Sequence, residues 1–177
     1  MPVIHNITQL SELSRIIKSK SGYSMTIGVF DGIHLGHKFL INETIKVAQN
    51  KNYNSCIISF SNSPYHFLTK KNDSNNYLST KDEKTDILSN YKIDDIFLIE
   101  FNNEIANTTA YDFLNYINTS LNLKFLTIGP DFSLGKNKEG NTSFQYCLIK
   151  LKEKYDTNFQ PQTYDTTPLS VLIDEYV

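Results

Sequence analysis

MTIGVFDGIHLGHKFLI, Met25 to Ile41, decides the fold. Its first six residues, Met25 to Phe30, are a short and almost continuous apolar run, the pattern of a strand covered on both faces and therefore central in a sheet. A turn follows in which Gly28 and Gly32 bracket Phe30 and Asp31, and glycine lets the backbone bend sharply and a ligand come close. From His37 to Asn50 the apolar positions Leu40, Ile41, Ile45 and Ala48 recur at helical spacing. His34 stands just before that helix and His37 lies in its opening turn, with Gly36 between them. Unpaired N–H groups and the positive end of the helix dipole meet there, which favours an anion such as a polyphosphate. Two imidazoles at the same place can donate hydrogen bonds to phosphate oxygens, and a phosphate neighbour raises the fraction of imidazole that is protonated. If attacking and leaving groups are both phosphates, no covalent intermediate is required. The protein need only align them and stabilise charge on the central phosphorus.

Outward from this segment, strands and helices alternate. Upstream, Thr8 to Lys20 predicts a helix with Leu10, Leu13, Ile16 and Ile17 on one face, ended by Gly22. Downstream, Ser55 to Phe60 predicts a second buried strand, and Asn62 to Asn76 a polar, irregular excursion containing Pro64. Thr80 and Glu83 form a capping-box pattern that opens a helix toward Tyr91. Ile93 to Phe101 predicts a strand, Thr109 and Asp112 a helix start, Phe125 to Gly129 another strand, and Ser143 to Tyr155 a helix. Strict alternation implies right-handed crossovers and a Rossmann-like α/β fold, a doubly wound parallel sheet in one domain spanning residues 1–177. Ligands of such sheets lie beyond the carboxyl ends of the strands, which directs attention to DGIHLGHKF after the first strand and PDFSLGKNKEG after the last.

Composition narrows the function further. Among 177 residues, 17 Lys and Arg against 19 Asp and Glu leave a net charge of −2, too balanced for a protein that mainly grips a nucleic-acid backbone. Arg15 is the sole arginine, so a bidentate guanidinium clamp has almost no candidate. Cys56 and Cys147 are far apart and outside any metal-ligand spacing, and both read as buried thiols. No stretch has the ~18 apolar residues of a membrane span and no export signal opens the chain, so a soluble cytoplasmic protein is expected. His34 and His37 have no evident third and fourth partners for zinc, and no metal ligands are assigned. Asp31 has two readings, a base or Mg²⁺ ligand on one side and a carboxylate that fastens its own turn on the other. Gly129 to Asn137 has one residue too many between its glycines to be a P-loop, and His5 and His66 read as ordinary surface or core histidines.

GVFDGIHLGHKFLI, Gly28 to Ile41, closely resembles the GxFDGxHxGH motif of bacterial FAD synthetases, the FMN adenylyltransferase module usually fused to a riboflavin kinase. HxGH alone marks the broader nucleotidyltransferase superfamily. GPDFSLGKNKEG, Gly129 to Gly140, resembles the second motif of the flavin family, usually GxDFxFGxxxxG. The resemblance covers nearly the whole chain. It implies that the FMN phosphate attacks the α-phosphorus of ATP, accompanied by Mg²⁺, to give FAD and pyrophosphate. Gly28, Phe30, Asp31, Gly32, His34, Gly36 and His37 would form the ATP site, with His34 and His37 catalytic. Phe60, Ser63, Pro64, Asp131, Phe132 and Gly135 would form the flavin site.

The sequence departs from the family in three places. Asn62 and Ser63 stand where the segment FxPHP has Pro and His, and Leu134 stands where a second aromatic is common. PLSVLIDEYV resembles the strand before the family's SSTxIR motif, and the expectation is a chain that lacks that motif and a kinase module. The expectation is an activity impaired in this chain alone, with FMN supplied by a separate riboflavin kinase. A truncated chain, a shortened gene product and a divergent relative all stay open. So do two other functions, a non-catalytic flavin or adenine-nucleotide binder and a nucleotidyltransferase for another phosphorylated substrate.

Overall fold

The computed structural model describes residues 1–16, 19–70, 79–129 and 132–136, together with the backbone of 160–163. Among the described residues six strands form one sheet: β1 (Val3–Ile7), β2 (Tyr23–Ile27), β3 (Asn54–Phe60), β4 (Asp95–Ile99), β5 (Leu123–Ile128) and β6 (Gln160–Thr163). Their spatial order is β1-β4-β3-β2-β5-β6 and every pairing is parallel. The helices are α1 (Leu35–Lys51), α2 (Pro64–Thr69), α3 (Lys81–Ser89), α4 (Asn103–Asn107) and α5 (Ala110–Leu121). This is the Rossmann-like α/β architecture that the alternation predicts.

β2 is central, and all five of its residues are buried. Met25 and Ile27 face a core layer built with Phe97, Phe113, Leu114 and Ile117, against α5. The opposite layer gathers Phe30, Ile33, Ile41, Ile57, Leu88 and Ile96 beneath α1 and α3. From β2 the chain winds through β3 to β4 on one side, then returns to lay β5 and β6 on the other. The order therefore reverses between β2 and β5, where a crevice opens at the carboxyl ends of a doubly wound sheet.

Three local expectations need correction. The strand predicted for Met25 to Phe30 ends at Ile27, because Phe30 takes a left-handed φ of 51° and leaves the ladder. Among the described residues between Thr8 and Lys20 there is not an α-helix but a 3-10 turn, Leu10–Arg15, followed by extended Ile16. Leu10 and Leu13, three apart, are its buried residues, the spacing that a three-residue turn eclipses. Within the supposedly irregular 62–76, Pro64–Thr69 is helical, since Ser63 caps it and proline suits a first helical position. β1 and β6 were not anticipated. The capping box at Thr80 and Glu83 and the cap at Thr109 form as expected. Cys56 is fully buried. Cys147, the helix expected at Ser143 to Tyr155 and the late strand in PLSVLIDEYV lie outside the described residues.

Candidate active site

Phe30, Gly32 and Ile33 all have positive φ (51°, 67° and 28°), and the turn between β2 and α1 coils tightly through them. Two of these are not glycine, so the conformation is strained and must be imposed by the surroundings. Phe30 and Ile33 impose part of it by anchoring in the core beneath α1 and α3. A Cβ at Gly28 would come within 3.1 Å of the Phe30 ring, so glycine there lets that ring fold back under the turn. Phe30, expected to help form the ATP pocket, has no exposed surface and lies at the base of the cavity over the ends of β2 and β5.

Beside Phe30 stand the two histidines. The His37 ring meets Phe30 at 5.0 Å and stacks on His34 at 3.8 Å, inclined by 25°. His34 is the N-cap of α1 and makes no side-chain cap, whereas Ser63, Thr80, Asn102 and Thr109 each cap the helix that follows them. The first amides of α1 therefore face the crevice without a capping side chain. His37 Nδ1 is buried and has no hydrogen-bond partner. A buried orphan of this kind is costly unless a ligand completes it.

Burial is the main reason that the His37 pKa is pushed down to about 4; His34 adds to the depression and Asp31 opposes it. With its pKa held down by burial, His37 is neutral at pH 7. An unfolded histidine titrates near 6.5, hence between pH 6.5 and 4 the unfolded chain binds a proton that the native chain refuses. The stability held by neutral His37 is full above pH 6.5 and is lost as pH falls through this window. His37→Asn is expected to remove ~1–2 kcal/mol of that acid-side loss, allowing for solvent screening. Urea unfolding of both proteins at pH 4.5 and 7 measures it.

Two cavities flank the turn and meet at Val29. One, of about 270 Å³, lies over the carboxyl ends of β2 and β5, bounded by Gly28, His34, His37, Phe60 and Phe132 to Leu134. The other, of about 390 Å³, lies between the ends of β2 and β3 and the start of α3, bounded by Asp31, Ser61, Ser63, Ser79 and Lys84. His34, Gly36 and His37 come together as expected. Asp31 turns away: its Oδ1 accepts from the N–H and hydroxyl of Ser79, both at 3.0 Å. That contact reaches the segment leading into α3, 48 residues on, rather than the nearby backbone of its own turn.

The residues expected around a flavin do not share one cavity. Phe60 and Phe132 line the first and Ser63 the second. Pro64 opens α2. Gly135, at φ 86°, packs on the start of α5. Asp131 lies outside the described residues. Asn62 and Ser63, the departures from FxPHP, both have structural partners. Asn62 exchanges hydrogen bonds with the backbone of Phe101 at 2.9 and 2.7 Å, and the Ser63 hydroxyl accepts from His66 N–H. Leu134, 8% exposed, joins the core.

Sequence reasoning missed Lys84. It is 6% exposed, and its Nζ donates to the carbonyls of Val29 and Phe60 at 3.2 and 2.5 Å. Burial lowers its pKa while Asp31 acts to raise it. The available signal was its position four residues before Leu88, on the inward stripe of α3. Among the described residues no three His, Cys, Asp or Glu side chains could jointly hold a metal ion, and no helix is long and apolar enough to cross a membrane.

The sequence profile described as FAD synthetase matches residues 16–170. A bifunctional riboflavin kinase/FMN adenylyltransferase of Buchnera aphidicola subsp. Schizaphis graminum is 35% identical over 159 residues, covering 89% of this chain and 46% of that protein. The protein of that description from Buchnera aphidicola subsp. Acyrthosiphon pisum is 31% identical, covering 89% and 50%. An FAD synthetase of Listeria monocytogenes is 30% identical, covering 71% and 51%. The chain thus spans about half the length of the curated relatives it matches. A solved structure, described as a macrolide-efflux protein from Streptococcus pneumoniae, superposes with a TM-score of 0.72 over 92% of this chain and 52% of that one. At 23% identity that likeness establishes the shared fold alone. With a matched profile running from residue 16, ahead of β2, to residue 170, past the second glycine motif, and the histidine turn at the sheet's switch point, this chain belongs to the FAD synthetase family.

Proposed function

We propose that the chain is an FMN adenylyltransferase. A phosphate oxygen of FMN attacks the α-phosphorus of ATP, the bond from that phosphorus to the bridging oxygen breaks, and pyrophosphate leaves with the electron pair. FAD is the other product. The observation that carries this reading is the uncapped start of α1 beside stacked His34 and His37, with His37 Nδ1 buried and unpartnered. Polyphosphate supplies what that place lacks, acceptors for helix amides and imidazole and negative charge at the dipole's positive end. On arrival of the anion, His37 takes up a proton and donates to it.

ATP is read into the crevice over β2 and β5, with Gly28, Gly32 and Gly36 permitting close backbone approach. FMN is read across Val29 toward the cavity beside Ser63, with Phe60 and Phe132 on the near side. Mg²⁺ enters with ATP as part of the substrate, since Mg²⁺ in such sites is held largely by substrate phosphates and water. When bound it neutralises phosphate charge. FMN comes from a riboflavin-phosphorylating enzyme, and the whole reaction belongs to the cytoplasm, where ATP is made.

Incubation with FMN, ATP and Mg²⁺, followed by chromatographic separation of flavins, is expected to show FAD and pyrophosphate in equal amounts. Absence of FAD together with tight binding of ATP and FMN would favour a non-catalytic binder. A second reading rests on Asn62 and Ser63, whose polar groups serve Phe101 and α2: transfer of the nucleotide to a different phosphomonoester. It predicts that FMN stays inert while another phosphorylated acceptor consumes ATP.

A further inference from the structure

The start of α3 is fastened to the histidine turn at several points. Ser79 donates twice to Asp31, and its hydroxyl oxygen accepts from Gly32 N–H at 3.3 Å. One turn further on, the buried Lys84 ammonium bridges the carbonyls of Val29 and Phe60, which lie at the carboxyl ends of neighbouring strands. These bonds hold residues 29, 31 and 32, on either side of Phe30. Phe30 and Ile33 have left-handed conformations that non-glycine residues keep only when their surroundings over-determine them. Phe30 in turn carries the His37 ring, and His37 carries His34.

We infer that the beginning of α3 braces the turn, with Lys84 and Ser79 as positioning residues that set the attitude of His34 and His37. Lys84 reaches no reacting group by this account and acts through the backbone of Val29. A lysine that served stability alone could be replaced by an apolar chain of similar volume with little loss, because burying an ammonium is unfavourable. Two carbonyls and a nearby carboxylate compensate for it here, at the point where the two cavities meet. The brace also forms a wall of the larger cavity, so an occupant of that cavity touches the element that aims the histidines at the other. The inference deepens the adenylyltransferase reading, on which only its consequence for turnover rests.

The test uses Lys84→Met and Ser79→Ala in the full chain, read by the proton resonances of the imidazoles. Mutual stacking at 3.8 Å gives His34 and His37 ring-current shifts that depend on the turn, while His5, stacked on Phe97, and His66, beside Tyr65, serve as controls. Each variant is expected to move the His34 and His37 resonances toward unstacked positions, leave the controls in place, and lower FAD formation by about 10²-fold. Lys84→Arg, which keeps the charge and donors, is expected to restore part of both. Folded variants with all four imidazoles unmoved would overturn the inference. If Lys84→Met fails to fold, Ser79→Ala decides by the same criterion. Should the protein make no FAD, the adenylyltransferase reading falls while the resonances still judge the brace.

Discussion

Replacing His34 and His37 together by alanine is expected to lower FAD formation by roughly 10³- to 10⁴-fold and ATP affinity by at least about tenfold, with little loss of stability at neutral pH. Removal of one preorganised donor to a developing oxyanion typically costs about 10²–10³ in turnover, and groups that act as a unit do not multiply fully. Charge-assisted hydrogen bonds to phosphate are worth about 1.5–3 kcal/mol each, which sets the lower bound on the affinity change. The stability side separates this from ordinary damage to a core. His37 Nδ1 has no partner and the ring resists protonation, so its removal relieves an unfavourable burial while forfeiting a stack on His34 and a contact with Phe30. Calorimetric titration with ATP, an FAD assay and a thermal melt measure the three quantities. Unchanged affinity in a folded double variant would remove the basis for an anion site at α1.

The same replacement bears on how much of this site could be read from the chain alone. The turn from Gly28 to His37 was legible because its pattern is local: an apolar strand, two glycines and two histidines at a helix start stand together in sequence, and the structure keeps them together at the head of α1. β1 was not, since Val3 and Ile4 are 56% and 40% exposed at the sheet edge and only Ile7 of that strand is buried. Pro64 read as a breaker because proline both ends and begins helices, and Ser63 decides which. Lys84 was hidden for a different reason. KDEKTDIL looks like a solvated helix start, and only the tertiary approach of two strand ends turns its lysine inward. The flavin residues were grouped by motif, yet β3 and β5 lie on opposite sides of β2, so residues that follow β3 and residues that follow β5 reach the crevice from different directions.

Gly135→Val is expected to destabilise the protein by ~3–5 kcal/mol, a large share of the total stability of a domain this size. Resemblance to the second family motif assigns Gly135 to a flavin contact, but its surroundings argue for a joint. A Cβ built there would lie 2.5 Å from the Ala110 backbone nitrogen and 2.9 Å from its Cα, and these belong to the first residue of α5. The next residue donates from Lys136 N–H to the Thr108 carbonyl at 3.1 Å, fastening the same joint. Left-handed φ costs a branched side chain about 1–2 kcal/mol, and forced overpacking adds about 1–3 kcal/mol. Alanine at this position already introduces the clashing atom, so Gly135→Ala should show the larger part of the loss. Because Phe132 to Leu134 line the cavity beside His37, displacement of the loop should also reduce the stabilisation that saturating ATP confers in urea. A variant with the parent's unfolding midpoint and selectively weaker FMN binding would instead make Gly135 a ligand contact, and the joint with α5 incidental.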